Sequence, residues 1–160
     1  MPIATPRWTS AWKWCQFLTR WICRRPTPLT KHTLTLETAQ RIADAAEKFA
    51  RKKKWNVVIT IVDDGGHLIY LARMDGTQIG SIEVAQAKAR TALAFKRPTK
   101  IWSDALTNGR TPILGLPGVT PIEGGLPLTV KGEFVGAIGI SGVTSEQDGQ
   151  IAQAGAAMLA

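Results

Sequence analysis

The segment Asn56–Met74, NVVITIVDDGGHLIYLARM, decides the fold. Its first seven residues form a β-branched run typical of a buried strand, and its last eight form a second extended stretch. Between them stands Asp-Asp-Gly-Gly at 63–66, a composition that suits a tight hairpin turn. A second hairpin is predicted where 126–130 and 133–140 flank a Lys-Gly pair. Hairpins join antiparallel strands, so the pattern excludes the parallel winding of a dinucleotide-binding fold.

Apolar residues at helical spacing predict helices around these strands. The first covers 36–53, with Thr35 as its candidate N-cap, and a second helix covers 81–96. A weaker amphipathic turn covers 100–106, and Ser145 can cap a final helix. Helices and antiparallel hairpins in this order predict an α/β fold, most economically a three-layer α/β/α sandwich.

The stretch 109–125 is rich in glycine and proline and is predicted to be a long loop. Long ordered loops are often functional, because a rigid scaffold can hold them over a site. We therefore expect this loop, together with the edges of neighbouring subunits, to form a ligand cleft.

The positive charge of the chain is concentrated in its first residues. The net charge is +8, yet 1–31 contain six basic residues and no acid, which leaves fourteen basic and twelve acidic residues elsewhere. We predict two parts: a leader at 1–33, with an amphipathic helix and a Pro-containing linker, and a domain at 34–160. The domain is nearly neutral and its basic cluster lacks interleaved aromatic residues, so no nucleic-acid partner is expected.

The leader helix has a broad apolar face rich in tryptophan. Its candidate partner-binding residues are Trp8, Trp12, Leu18 and Trp21. A basic helix of this kind can lie on a membrane surface, dock through 8–25 onto a protein partner or pack within its own assembly, and the sequence leaves all three open. Polar residues interrupt it too often for a secretory signal, and both cysteines lie within it, so a cytoplasmic location is expected.

Several separate motifs occur in one order along the domain. They are DDGGHL at 63–68, RMDG at 73–76, GGLP at 124–127, VGAIGISG at 135–142 and EQD at 146–148. This pattern resembles the GlcG/HbpS family. The same domain also occurs at the C-terminus of PduO-type cobalamin adenosyltransferases. The resemblance covers about residues 34–160. It implies a central five-stranded antiparallel sheet flanked by helices, assembly into dimers to octamers, and haem or another tetrapyrrole as ligand.

Haem iron needs an axial ligand, most often an imidazole, and the chain has only two histidines. His67 follows the first hairpin turn and His32 precedes the first helix, so both are candidate iron ligands. Each also has a simpler interpretation: His67 can bond Asp63 or Asp64 within the turn, and His32 can be an ordinary solvated residue. The candidate cations for the haem propionates are Arg73 and Arg110, with Lys88 and Arg90 as further possibilities.

Classical catalysis is poorly supported, because neither histidine stands in a known nucleophile or metalloenzyme motif. We therefore expect no catalytic residue and predict a cytoplasmic, oligomeric haem-binding protein, serving in haem sensing, storage or degradation. Two other hypotheses remain. One is a non-catalytic accessory subunit that docks onto an enzyme complex or microcompartment through its leader helix. The other is a haem-degrading enzyme in which the iron itself supplies the redox chemistry.

Overall fold

The computed structural model describes residues 30–159 and shows four α-helices and four β-strands within them. In chain order these are α1 (Leu36–Lys53), β1 (Val58–Asp63), β2 (Leu68–Arg73), α2 (Ser81–Ala94), α3 (Lys100–Thr107), β3 (Gly125–Val130), β4 (Glu133–Ser141) and α4 (Ser145–Ala156). Two short 3-10 helices cover Thr111–Gly115 and Ala157–Leu159. The four candidate partner-binding residues of the leader lie outside the described residues.

The four strands form one antiparallel sheet in the order β2-β1-β4-β3. Both predicted hairpins are present, and the central pair β1 and β4 joins them, with Asp63 opposite Gly136. The expectation of five strands is wrong for the part of the chain described. The long stretch between α3 and β3, 108–124, contains three prolines, which cannot donate hydrogen bonds to a ladder and so disfavour a further strand there.

Successive residues of β4 belong to two different hydrophobic clusters. Ile138 packs in the larger cluster with α1 and α4 residues, whereas Ala137 packs in the smaller one with α2 residues such as Ala89. This alternation is what a pleated strand dictates. At Gly139 an added Cβ would lie 2.1 Å from the carbonyl oxygen of Ala85, so glycine is needed for α2 to pack this closely.

Threonine side chains cap the N-termini of α1 and α4. Thr35 caps α1 as predicted, because its Oγ1 accepts the N–H of Thr38 at 3.2 Å. The predicted cap of α4, Ser145, is wrong by one residue. Thr144 is the cap, and it forms a reciprocal capping box in which its hydroxyl and the Gln147 side chain each accept the other's backbone N–H.

Among residues 30–159 no helix is both long enough and apolar enough to cross a membrane.

Candidate functional site

A cleft of about 1030 Å³ lies beside the first hairpin turn. Four segments line it: Lys31 and His32 before α1, the turn at 64–67, the C-terminal end of α2, and the second hairpin turn at 132–134. The pairing of β1 with β4 brings the two turns to the same end of the sheet. The volume is at the upper end of the roughly 300–1,000 Å³ of pockets that hold small organic ligands. We call this feature the hairpin cleft.

His32 is held at the cleft by Glu133, the first residue of β4. Its Nδ1 lies 2.7 Å from Glu133 Oε2, and its backbone N–H donates to the same oxygen at 3.3 Å. About half of each side chain is exposed, at 49% for His32 and 51% for Glu133. The hydrogen bonds from the His32 side chain and backbone lower the pKa of Glu133, so this carboxylate is ionised at neutral pH.

His67 is more exposed and less tightly held. Its side chain is 82% exposed, and Nδ1 lies 3.4 Å from Asp63 Oδ1. That oxygen already accepts the backbone N–H groups of Gly65 and His67, at 2.9 and 2.8 Å. Burial raises the pKa of Asp63, but these backbone hydrogen bonds, together with the nearby His67 imidazole, hold the pKa below its ordinary value. The hydrogen bond from His67 to Asp63 is thus made by the His67 backbone and not by its ring.

The remaining walls of the hairpin cleft combine cations with apolar surface. Arg90 donates from Nε to the carbonyl oxygen of Gly66 at 3.4 Å, and Lys96 Nζ lies 5.4 Å from the centre of the Phe134 ring. Lys31 pairs with Asp64, which raises the pKa of the lysine through their hydrogen bond. Leu93, Ala94 and Phe134 supply apolar contacts. The cleft thus offers imidazoles, cations and a partly apolar wall.

The structure brings together only some of the residues that the sequence singled out. His32 and His67 line the same cleft, but Arg73 and Arg110 do not line it. Arg73 ends β2 and pairs with Val58, so it lies about 20 Å from His67 along the strand. Arg110 precedes the first 3-10 helix. The neighbouring Met74 is 7% exposed and belongs to the larger core cluster.

The Gly- and Pro-rich stretch does not line the hairpin cleft either. It is anchored instead to α2, where Thr91 Oγ1 lies 3.0 Å from the Gly118 carbonyl oxygen and accepts the N–H of Thr120 at 3.0 Å. Sequence reasoning overlooked Glu133, Phe134 and Lys96 as site residues. Glu133 and Phe134 reach the cleft through the pairing of β1 with β4, which joins segments about seventy residues apart, and Lys96 reaches it from the end of α2.

Lys88 is not a surface cation, contrary to its consideration as a propionate partner. Its side chain is 1% exposed, and Nζ donates to Asp148 Oδ2 at 2.7 Å and to the Ile140 carbonyl oxygen at 3.0 Å. Burial raises the pKa of Asp148, although Lys88 acts in the opposite direction. This buried ion pair links α2 to α4 and does not line the hairpin cleft.

The four-stranded sheet, its helices and a histidine-bearing surface cleft define a small α/β domain. The comparisons with known proteins identify the family. The chain belongs to the HbpS-like family, because the family model described as "Haem degrading protein HbpS-like" matches residues 34–157. The resemblance predicted from the sequence motifs is therefore confirmed.

Individual relatives agree with this assignment. Protein GlcG of Escherichia coli strain K12 is 44% identical over 112 residues, which cover 70% of this chain and 84% of GlcG. The crystal structure of HbpS has 34% identity and a TM-score of 0.77, over 86% of this chain and 98% of that one. A crystal structure described as a PduOC:heme complex has 32% identity and a TM-score of 0.72, over 79% of this chain and 95% of that one.

Proposed function

We propose that this protein binds haem in the hairpin cleft, with a histidine as the axial ligand of the iron. The observation that carries the proposal is that the two histidines, 35 positions apart in the sequence, line the same cleft. Neutral imidazole is the commonest protein ligand of haem iron. The haem complex described for the structural relative PduOC and the family's description as haem degrading both support this choice of ligand.

The other groups of the cleft suit the remaining parts of haem. The half-buried Phe134 ring and Leu93 offer apolar surface to a porphyrin plane. Arg90 and Lys96 are the cations placed to pair with its propionates. Arg73 and Arg110 stay candidates only for a haem shared between copies of the chain, because they do not line the hairpin cleft.

The site is tested by filling the cleft without touching a histidine. Ala94 is exposed at the end of α2 and lines the cleft, so Ala94→Trp should occupy part of its volume. Ala157 is also exposed but does not line the cleft, and Ala157→Trp is the matched control. After incubation with haemin and gel filtration, we expect Ala94→Trp to retain much less haem than the wild type. Equal haem retention in the two variants would place the ligand elsewhere.

We also propose the larger setting in which this binding occurs. Helices on both faces of the sheet would form a three-layer sandwich, which the two separate core clusters support. The domain would assemble into a cytoplasmic homo-oligomer, from a dimer to an octamer. Exposed apolar side chains such as Ile79 (75%) and Leu114 (65%) offer surface for such contacts.

A second candidate function is that of an accessory module docked through the leader. The relative that favours it is the corrinoid adenosyltransferase PduO of Salmonella typhimurium, 32% identical over 149 residues. The match covers 88% of this chain but only 44% of PduO, so the shared domain is there part of a longer protein. Joint Ala substitution of the leader residues Trp8, Trp12, Leu18 and Trp21 in the full chain should then abolish docking and leave haemin binding unchanged.

A further inference from the structure

One oxygen of Glu133 contacts His32 twice. Oε2 lies 2.7 Å from the ring Nδ1 and 3.3 Å from the backbone nitrogen. The two contacts restrain both the main chain and the ring, although His32 precedes the first helix and is half exposed. They also cross from the segment before α1 to the first residue of β4, which is part of the sheet.

This contact determines which ring nitrogen carries the proton. An ionised carboxylate has no hydrogen to donate and can only accept. At 2.7 Å the Nδ1 atom must therefore be the donor. In the neutral imidazole the lone pair then resides on Nε2, which is the form that binds a metal.

We propose that Glu133 is a positioning residue that holds the His32 imidazole in the tautomer whose Nε2 binds the haem iron. This inference rests on the proposed function and names the histidine that performs it. Metal-bound histidines characteristically donate their other ring N–H to a carboxylate, which fixes the ring and makes it a stronger base. His32 with Glu133 has this arrangement.

The second histidine of the cleft lacks an equivalent partner. His67 Nδ1 is 3.4 Å from Asp63 Oδ1, beyond the usual range for an N–H···O hydrogen bond. The same oxygen is engaged by two backbone N–H groups of the turn. The ring of His67 is therefore less restrained than that of His32, and the geometry assigns the axial position to His32.

The test is a double-mutant cycle on the full chain. The dissociation constant of haemin is measured by Soret titration for the wild type, Glu133→Ala, His32→Ala and the double variant. We expect Glu133→Ala to weaken binding roughly 10- to 100-fold, the usual effect of removing a partner that orients a ligand. In the His32→Ala background the same substitution should have no further effect. Glu133→Gln, whose amide oxygen can still accept from Nδ1, should restore part of the affinity.

A second measurement separates positioning from a merely structural role. A carboxylate partner makes the imidazole more electron-rich and favours ferric iron, so Glu133→Ala should raise the reduction potential of the bound haem. The matched control is Asp104→Asn, which removes a carboxylate that is paired with Lys100 on α3 and does not line the cleft. It should leave the potential unchanged.

The two proposals fail in different ways. A wild-type protein that does not shift the haemin spectrum would refute haem binding, and the inference with it. Haem binding that is insensitive to His32→Ala would leave the function standing and overturn the assignment of His32. Haem binding that needs His32 but tolerates Glu133→Ala, or that is weakened equally by Glu133→Ala with and without His32, would overturn the role of Glu133 alone.

Discussion

Lys88 Nζ and Asp148 Oδ2 lie 2.7 Å apart, with side chains only 1% and 3% exposed. Removing one member of such a pair leaves the other charge buried without compensation, which typically costs about 3–5 kcal/mol. We expect Asp148→Ala to lower the free energy of unfolding by this amount in urea denaturation. The joint replacement Lys88→Met with Asp148→Leu should recover most of the loss, because it removes both charges.

An exposed ion pair provides the control for this prediction. Lys100 and Asp104 lie 3.1 Å apart on α3, with side chains more than half exposed. Surface pairs contribute about 0–1 kcal/mol, so Asp104→Ala should change the stability little. Equal losses for Asp148→Ala and Asp104→Ala would contradict the anchoring role of the buried pair.

Close packing of α2 on β4 predicts that Gly139 cannot be replaced. An added Cβ would lie 2.1 Å from the Ala85 carbonyl oxygen and 2.7 Å from the Ala89 nitrogen, which are backbone atoms that a side-chain movement cannot clear. Gly139→Ala should lower the thermal unfolding midpoint, at a cost of about 1–3 kcal/mol or more. At Gly80 an added Cβ meets nothing within 4 Å, and Gly80→Ala should be neutral. A tolerated Gly139→Ala would show that α2 can move away from the sheet.

The stabilisation that Asp63 gives to the first hairpin turn should depend on pH. The lowered pKa of Asp63 means that the folded state binds its proton less readily than the unfolded state. The stabilisation is therefore complete above the ordinary Asp value of 3.8 and is lost as the pH falls through the lower folded-state value. Asp63→Asn keeps an oxygen that can accept the turn N–H groups but removes the charge.

The urea midpoints of the wild type and Asp63→Asn are compared between about pH 5 and pH 3, on both sides of the ordinary Asp value of 3.8. The advantage of the wild type should shrink as the pH falls. An advantage that is constant over this range would mean that the carboxylate charge does not stabilise the turn.

The capping box of α4 predicts different effects at two adjacent hydroxyl residues. Thr144→Ala removes the acceptor of the Gln147 N–H and should cost about 1 kcal/mol. Ser145 is the first helical residue, so Ser145→Ala should be close to neutral. Chemical denaturation of both variants measures the difference in the free energy of unfolding. A larger loss for Ser145→Ala would show that Ser145, and not Thr144, is the N-cap of the helix.

Local signals predicted most of the secondary structure. The turn after Asp63 and the turn at Lys131-Gly132 could both be predicted from the sequence, because glycine and aspartate favour tight turns within a few residues. The Ser145 error has the same origin, since two neighbouring hydroxyl residues both qualify as caps and only the reciprocal bond to Gln147 decides between them. The fifth strand came from the resemblance and not from the pattern of this chain.

The site was less predictable, because it depends on contacts between distant segments. Nothing local indicates that Asp63 pairs with Gly136, yet this pairing brings both turns, and with them Glu133, to the cleft. Lys88 and Asp148 are sixty positions apart, so nothing local in the sequence indicates that these two charges form a buried pair. His32 and His67 were selected for their chemistry alone, and their role as ligands remains a prediction.

Haem ligation in the hairpin cleft is tested most directly by a Soret titration of the wild type and of His32→Ala with His67→Ala. The chain has no other histidine, so this double variant removes every imidazole while the cleft walls remain. We predict a saturable, shifted Soret band for the wild type and its loss in the double variant. A wild-type spectrum identical to that of free haemin, or a double variant that behaves like the wild type, would contradict histidine-ligated haem binding.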